Sequence, residues 1–293
     1  MSTTGSAASP VIDLHAHSAH SDGTQSAADL VLAASCAGVD VLGLTDHDVV
    51  DGWDAAAAQA ARVGITVVPG VELSTQVAGM SVHLLAYLVD PWDRTLGAMM
   101  GTIRAHRTAR LRRTVELLAA DGYPVDYDEI VAWAGAGTTL GRPHVADALV
   151  RAGSFPDRDA VFETLLHSSS PYYVRHWAPS TSEAIGTVRS AGGVPVLAHP
   201  FAHRRGRVLT EADIDDLVDV GLCGLEVHHP DHDAEAVATA GSISARRGLV
   251  QTGASDYHGT GKSNRLAQCT TAPETLERLL GMGSGSPLLG SRG

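Results

Sequence analysis

Val41-Leu42-Gly43-Leu44-Thr45-Asp46-His47-Asp48 is an apolar run of strand length that ends abruptly in residue types that bind metal ions. The pattern recurs along the chain. The run Val11–His15 leads into Asp13-Leu14-His15-Ala16-His17-Ser18, with Ser21-Asp22-Gly23 close behind. Ile65–Val71 leads into Pro69-Gly70-Val71-Glu72, and the next run, Val82–Leu88, carries His83. Val194–Ala198 opens Ala198-His199-Pro200, and Leu249–Gly253 opens Ala254-Ser255-Asp256-Tyr257-His258-Gly259. Taken singly, a His-x-His pair is more often a surface pair than a ligand pair, and Asp-His-Asp can be a helix cap. Five strand-like runs with such residues at or near their ends are different, because a barrel gathers the C-terminal ends of its parallel strands on one rim.

Helical stretches at 26–38, 54–63, 180–191, 210–220 and 233–246 alternate with these runs and with a further one, Gly224–Val227. Near-continuous apolar strands alternating with helices predict an α/β fold with a parallel sheet, and seven strands predict a closed or nearly closed barrel. The rhythm breaks between 91 and 178. Leu96–Ala120 reads as one long helix, followed by shorter ones at Asp126–Ala134, Arg142–Ala152 and Asp157–His167. The expected organisation is a barrel from 1–93 and 178–280, a helical insertion at 94–177 over the active site, and a flexible Gly/Ser-rich tail at 281–293.

Composition narrows the function classes. The 293 residues carry a formal net charge of −12, which argues against a nucleic-acid-binding surface; no DNA-binding face is expected. No run of about 18 apolar residues predicts a membrane span. The opening MSTTGSAASP has neither the basic region nor the apolar core of a secretory signal. Cys36, Cys223 and Cys269 are scattered and odd in number, which speaks against a disulfide framework or a thiolate site and fits a cytoplasmic protein. Lys262 is the only lysine; every other side-chain cation of that kind is arginine.

Residues i and i+2 of an extended segment share a face, so His15 and His17 can converge on one ion. With Asp22, His47, Glu72, His83, His199, Asp256 and His258 the candidate ligands number nine, too many for a single ion. Two or three ions about 3.5–4 Å apart, sharing a carboxylate, would use them. Imidazole and carboxylate without thiolate suit Mn2+ first, with Fe2+ or Zn2+ as alternatives. Such centres hydrolyse phosphate esters.

These segments resemble the PHP (polymerase and histidinol phosphatase) family. His-x-His with its downstream Asp, Thr45-Asp46-His47-Asp48, Pro69-Gly70-Val71-Glu72, Ala198-His199-Pro200 and Ser255-Asp256-Tyr257-His258-Gly259 occur in the family's order. The resemblance implies a distorted (β/α)7 barrel with up to three metals. His15, His17, Glu72 and Asp256 would hold the first; bridging Glu72, His83 and His199 the second; Asp22, His47 and His258 the third. Leu140-Gly141-Arg142-Pro143-His144, Pro171-Tyr172-Tyr173-Val174, Gly224-Leu225-Glu226-Val227 and Lys262-Ser263-Asn264-Arg265-Leu266 further resemble the subgroup with a helical insertion. That subgroup implies 3′-phosphate removal from 3′,5′-nucleoside bisphosphates, or 5′–3′ trimming of short RNA ends. A histidinol-phosphate or cyclic-phosphate hydrolase is the alternative, and a non-catalytic metal-stabilised module the alternative of another class.

Several residues outside the ligand set draw attention. Arg142 opens a predicted helix, where its guanidinium and the helix N-terminus can both face a phosphate. His144 can contact substrate or serve the helix cap. Tyr173 can stack on a base or pack the insertion. Arg104, Arg107 and Arg110 fall on one helical arc; a solvated face paired with Glu116 or Asp121 is the simplest account, a basic lid the sharper one. His203 is a candidate acid for the leaving group. Arg204 and His228 are candidate substrate contacts at strand-end loops.

Overall fold

The structure, a computed structural model, describes residues 9–203 and 207–290. Seven strands form one sheet in chain order: β1 (Ile12–Ala16), β2 (Val41–Leu44), β3 (Thr66–Val77), β4 (Met80–Tyr87), β5 (Val194–Leu197), β6 (Gly224–His228) and β7 (Val250–Gly253). The helices are α1 (Ala27–Cys36), α2 (Trp53–Val63), α3 (Arg94–Ala120), α4 (Tyr127–Ala134), α5 (Arg142–Arg151), α6 (Arg158–Thr164), α7 (Thr181–Ser190), α8 (Glu211–Asp219), α9 (Ala234–Arg247) and α10 (Pro273–Leu280). Local chemistry sets where most of them start. Ser26, Asp93, Asp126, Asp157, Ser180, Thr210 and Asp233 each accept, through the side chain, the backbone N–H three residues on. Such a cap is worth about 1 kcal/mol.

The barrel closes beyond the strand ends. The His17 N–H donates to Tyr257 O at 2.9 Å, and the Ser255 N–H donates to Asp13 Oδ1 at 2.9 Å. Strands β1–β3 are parallel, as are β5–β7. The parallel run is interrupted at β4, which is antiparallel to both β3 and β5. The cause is a two-residue hairpin turn at Ala78-Gly79, where φ is +48° and +77° and Val77 pairs with Met80. Strand β3 therefore continues past Val71 to Val77, and Glu72 lies within the strand rather than after it. Because β4 is inverted, its beginning meets the rim formed by the ends of the parallel strands. That brings His83 to the same place as His15, His47 and His199.

Helices α3–α6 lie between β4 and α7 and carry an apolar cluster of their own. Leu111, Val115 and Leu118 of α3 pack with Ile130, Val145, Leu149 and Val161 of the next three helices. The main core joins β1–β6 to α1, α2, α7, α8, α9 and the first turns of α3, through Leu96 and Met100.

Residues 281–290, the described part of the expected flexible tail, are bonded to the rest of the fold. Val67 and Leu289 exchange backbone hydrogen bonds at 3.0 and 2.9 Å, the Ser284 N–H donates to Gly192 O, and the Ser286 N–H donates to Leu88 O. The glycines serve close approach: a Cβ at Gly285 would lie 2.3 Å from the Asp90 nitrogen. A chain ending at Gly281 loses these bonds and the packing of Leu288 and Leu289. Its midpoint of thermal unfolding is expected to fall by about 5 °C or more, read by circular dichroism; an unchanged midpoint would show that the tail contributes nothing.

Candidate metal centre

All nine candidate ligands converge on one rim. Glu72, 1% exposed, is the hub. Its Oε2 lies 3.2 Å from His15 Nε2, 3.0 Å from His17 Nε2 and 3.3 Å from His47 Nδ1. Its Oε1 lies 2.8 Å from His83 Nδ1 and 3.1 Å from His199 Nε2. Asp22 Oδ1 is 3.2 Å from His258 Nε2, and Asp22 Oδ2 is 3.7 Å from His47 Nε2. The tightest groupings are His15, His17, Glu72 and Asp256; His17, Asp22 and His258; and His47, Glu72 and His83. The first matches a set implied by the resemblance. His47 sits between the other two, with one ring nitrogen toward Glu72 and the other toward Asp22. His199 reaches the hub through Glu72 Oε1.

Strand β1 places His15 and His17 on one face, as alternation requires. Three ends of apolar runs then turn sharply: Asp48, His199 and Asp256 have φ of +54°, +33° and +51°. Non-glycine residues held there cost on the order of 1–3 kcal/mol each, so the surroundings must fix them. At His199 the fixing group is Glu226. Its Oε2 accepts the His199 N–H at 2.8 Å, while its Oε1 pairs with His15 Nδ1 at 3.0 Å. Asp46 is held differently, by the Ser18 N–H and the Ser18 and Ser21 hydroxyls at 2.8, 2.6 and 2.6 Å.

Electrostatics and hydrogen bonding both fit divalent cations. Burial works against charge on Glu72, but His47, His83 and His15 outweigh it and hold the carboxyl well below its ordinary range. Asp22 is lowered against burial by His258 and His47, and Asp256 by Lys262, His15 and His258. Burial likewise opposes charge on His15, yet Glu226, Glu72 and Asp256 hold it well above its ordinary value. His17 is raised to about 9 by Asp256 and Glu72 against burial, whereas burial takes His258 down to about 4. The proton that His15 Nδ1 gives to Glu226 leaves Nε2 facing His17 Nε2 at 3.0 Å, two ring nitrogens aimed at one point. The Nδ1 atoms of His47 and His83 are buried and make no hydrogen bond, although each is close to Glu72. Without metal, protons on His15 and His17 supply the positive charge that the carboxylates draw in; a shared divalent cation can take the place of those protons.

The profile of the PHP domain family matches residues 13–132. A 3′,5′-nucleoside bisphosphate phosphatase of Chromobacterium violaceum is 35% identical over 254 residues, 87% of this chain and 89% of that protein. The chain belongs to the PHP family. A phosphoribosyl 1,2-cyclic phosphate 1,2-diphosphodiesterase of Eggerthella lenta is 33% identical, over 84% of this chain and 94% of that protein. A crystal structure from Bifidobacterium adolescentis, assigned to the metal-dependent phosphoesterases, superposes with a TM-score of 0.90 at 37% identity, covering 93% of this chain and 96% of that one. The PHP fold and a phosphate-ester hydrolase activity are thereby shown for the chain. Among the described residues no helix is long and apolar enough to cross a membrane.

Around this PHP centre the other expected site residues fare unevenly. Arg142 is the first residue of α5 and donates from Nη1 to Leu166 O at 2.8 Å, with the Tyr173 ring 5.5 Å away. His144 is occupied by the cap, its Nδ1 taking the Gly141 N–H at 3.1 Å. His203 is exposed, and Arg204 lies outside the described residues. His228, expected to face substrate, is exposed and lines a separate cavity of about 540 Å³ with Gln251, Thr271 and Arg278. A register shift between Glu226 and His228 changes which residue points inward. The histidine that enters the site is its neighbour His229, 3.3 Å from Asp256 Oδ2.

The arginines of α3 also depart from the solvated face expected of them. Arg104 donates to Asp48 O at 2.9 Å. Arg107 is buried and donates to Ser74 Oγ at 2.7 Å, and it sits 3.3 Å from Asp48 Oδ2. Arg110 is buried and contacts His176 Nδ1 at 3.1 Å. From α6, Arg158 grips Asp147 with two nitrogens at 2.5 and 2.7 Å and donates to Asp22 O at 3.0 Å. Glu226 lies in the motif Gly224-Leu225-Glu226-Val227, but sequence reasoning assigned it no role, and His176, His229 and Arg158 were not among the candidates, since each acts through a partner distant in the chain.

Two outcomes are expected. Replacing Glu226 by Gln turns an N–H toward His15 or the His199 amide, and metal affinity should weaken roughly 10- to 100-fold, measured by competition with a chelating dye; wild-type affinity would remove Glu226 from the site's supports. Stripping metal with a chelator should lower the thermal midpoint, and more so at pH 9 than at pH 7. The His17 pKa, raised from 6.5 to about 9 in the metal-free protein, gives stability that is full below 6.5 and is lost as pH rises through 9. Equal losses at the two pH values would contradict this.

Proposed function

We propose that the protein hydrolyses a phosphate ester of a nucleotide-like substrate bearing a second phosphate, with 3′-phosphate removal from 3′,5′-nucleoside bisphosphates as the leading case. One observation carries the choice: the arginines beside the ligand cluster, Arg107 and Arg110 buried and Arg142 partly buried, are short of counter-charge. Among the described residues, Arg107 has Asp48, but neither Arg110 nor Arg142 forms a salt bridge. Burial, then Arg107 and Arg142, push Arg110 well below its ordinary range, and burial lowers Arg142. Arg110 Nε and His176 Nε2 are buried donors or acceptors without a partner. Burial, Arg110, Arg107 and nearby His83 hold His176 down to about 3, so it stays neutral. Arg110 donates to its Nδ1, which leaves the proton on Nε2 as a further donor. Ser74, which Arg107 grips, pairs with His83 across β3 and β4, so this basic group adjoins the cluster.

Buried cations without carboxylates favour an anion strongly. Two or three divalent ions, Mn2+ first, would be held by His15, His17, Asp22, His47, Glu72, His83, His199, Asp256 and His258. When bound they would supply Lewis acidity to the phosphoryl oxygens and a reactive water near neutral pH. Arg110, Arg142 and the His176 Nε2–H then anchor the second phosphate and fix the scissile ester over the cluster. Histidinol phosphate, which has one phosphate and a cationic amine, would bring positive charge into a positive pocket. The phosphoribosyl cyclic phosphate named for the Eggerthella relative has a second anionic group and is the competing reading.

Phosphate release from the Mn2+-supplemented protein should favour 3′,5′-bisphosphoadenosine over 5′-AMP and histidinol phosphate. A phosphoribosyl cyclic phosphate and a short 5′-phosphorylated RNA complete the panel. Replacing Arg110 by Ala should raise KM for the preferred substrate roughly 10- to 100-fold, the size of a lost charge-assisted hydrogen bond, while an aryl monophosphate is turned over as before. Equal turnover of the mono- and bisphosphate would sink the two-phosphate reading.

A further inference from the structure

Of the 21 lysine and arginine residues, only Lys262 is lysine. Its Nζ lies 2.7 Å from Asp256 Oδ2. His229 Nε2 approaches the same oxygen at 3.3 Å. Since His229 Nδ1 accepts the Asp231 N–H at 2.9 Å, the proton of the neutral ring is on Nε2, which donates to Asp256. The other oxygen, Oδ1, lies 3.5 Å from His15 Nε2, 3.4 Å from His17 Nε2 and 3.5 Å from His258 Nδ1. The two oxygens thus face different ways: Lys262 and His229 hold Oδ2, while Oδ1 is turned toward the ring nitrogens of His15 and His17.

The loop that delivers Lys262 is fixed on both sides. It follows the turn Gly259–Gly261, where Gly259 has φ +67° and a Cβ would come 2.1 Å from Thr24 Oγ1. A Cβ at Gly261 would come 2.2 Å from the Arg158 guanidinium. Beyond it, Asn264 Nδ2 donates to Ser255 O at 2.8 Å. The segment therefore folds back on Asp256, touching it from both the side-chain and the backbone side.

We propose that Lys262 is a positioning residue which, together with His229, holds Asp256 as a one-oxygen metal ligand, and that arginine cannot replace it. A guanidinium is a planar fork that takes both oxygens of a carboxylate, whereas an ammonium is a compact point charge that can occupy one. In a chain that otherwise uses arginine throughout, a fork at this position would draw Oδ1 away from the cluster. This inference rests on Asp256 being a metal ligand, and not on the identity of the substrate.

The test uses metal retention by the whole protein. Wild type, K262M and K262R are loaded with Mn2+ and titrated with a chelator, and the metal-free forms are checked by circular dichroism for an intact fold. Both variants should hold metal roughly 10- to 100-fold more weakly, the usual effect of losing a ligand's hydrogen-bond partner. K262R at wild-type affinity would overturn the proposal, since charge alone would then suffice. Tighter binding by K262M would overturn it too, because Lys262 would then merely repel the ion. A wild-type protein that retains no metal would overturn the metal centre and the proposal together. Labelling with 15N-lysine gives an independent readout, because the chain has a single side-chain ammonium. Its resonance should be visible and slowly exchanging in the loaded protein, and exchange as fast as that of free lysine would refute the contact.

Discussion

Five imidazoles close on the two oxygens of Glu72, at 2.8–3.3 Å. Two oxygens cannot satisfy five ring nitrogens through neutral hydrogen bonds, so positive charge must enter this buried space, as protons on the rings or as metal ions. The architecture serves this convergence. Strand β3 runs long enough to carry Glu72 in its middle, the Ala78-Gly79 turn sends β4 back so that His83 faces it, and the strained backbone at His199 turns a third strand's histidine inward. Glu226 ties two of the five together, from His15 to the His199 backbone.

The helical insertion braces the same centre from two sides. Arg107 of α3 ties Asp48 and Ser74 next to His47 and His83. Arg158 of α6 holds the carbonyl of Asp22 next to His258 and packs against Gly261. Buried charge pairs of this kind add little net stability, since desolvation offsets most of the attraction. Their effect is geometric: losing one partner leaves a buried charge, at a cost of about 3–5 kcal/mol. The helices between β4 and α7 therefore fix the positions of candidate ligands, and Arg110 stands on a helix already joined to that cluster through Arg107.

The barrel and the candidate ligands other than Asp22 were legible because each of those residues sits in or beside an apolar run, and local pattern finds such runs; Asp22 was read from the loop that follows His-x-His. The inversion of β4 was legible only in Ala78-Gly79, a weak hairpin signal lost beside the stronger strand–helix alternation. The inward arginines were not legible. Arg104, Arg107 and Arg110 share an arc with the residues that pack α3 against the barrel, and helical period alone does not say which arc is covered. His228 and His229 show the same limit at the scale of one residue. A register shift at the end of β6 decides which of two adjacent histidines enters the site, and no composition rule reports a register shift.

The inverted strand also sets a length. Because β4 descends, Tyr87 leaves the barrel at the end opposite the ligands, and the chain must climb back before it can cover them. It does so in one helix, α3, whose 27 residues span about 40 Å at 1.5 Å per residue. Helix α3 thus acts as a ruler: ten residues from its start the rise is about 15 Å, close to the height of the four residues from Tyr87 back up to His83, about 13 Å at strand spacing. Arg104 stands at that mark, and Arg107 and Arg110 follow at successive turns. Spacing along the helix, more than any loop, meters how far from the ligand cluster Arg107 and Arg110 stand, so one extra turn before Arg104 would carry both about 5 Å further along.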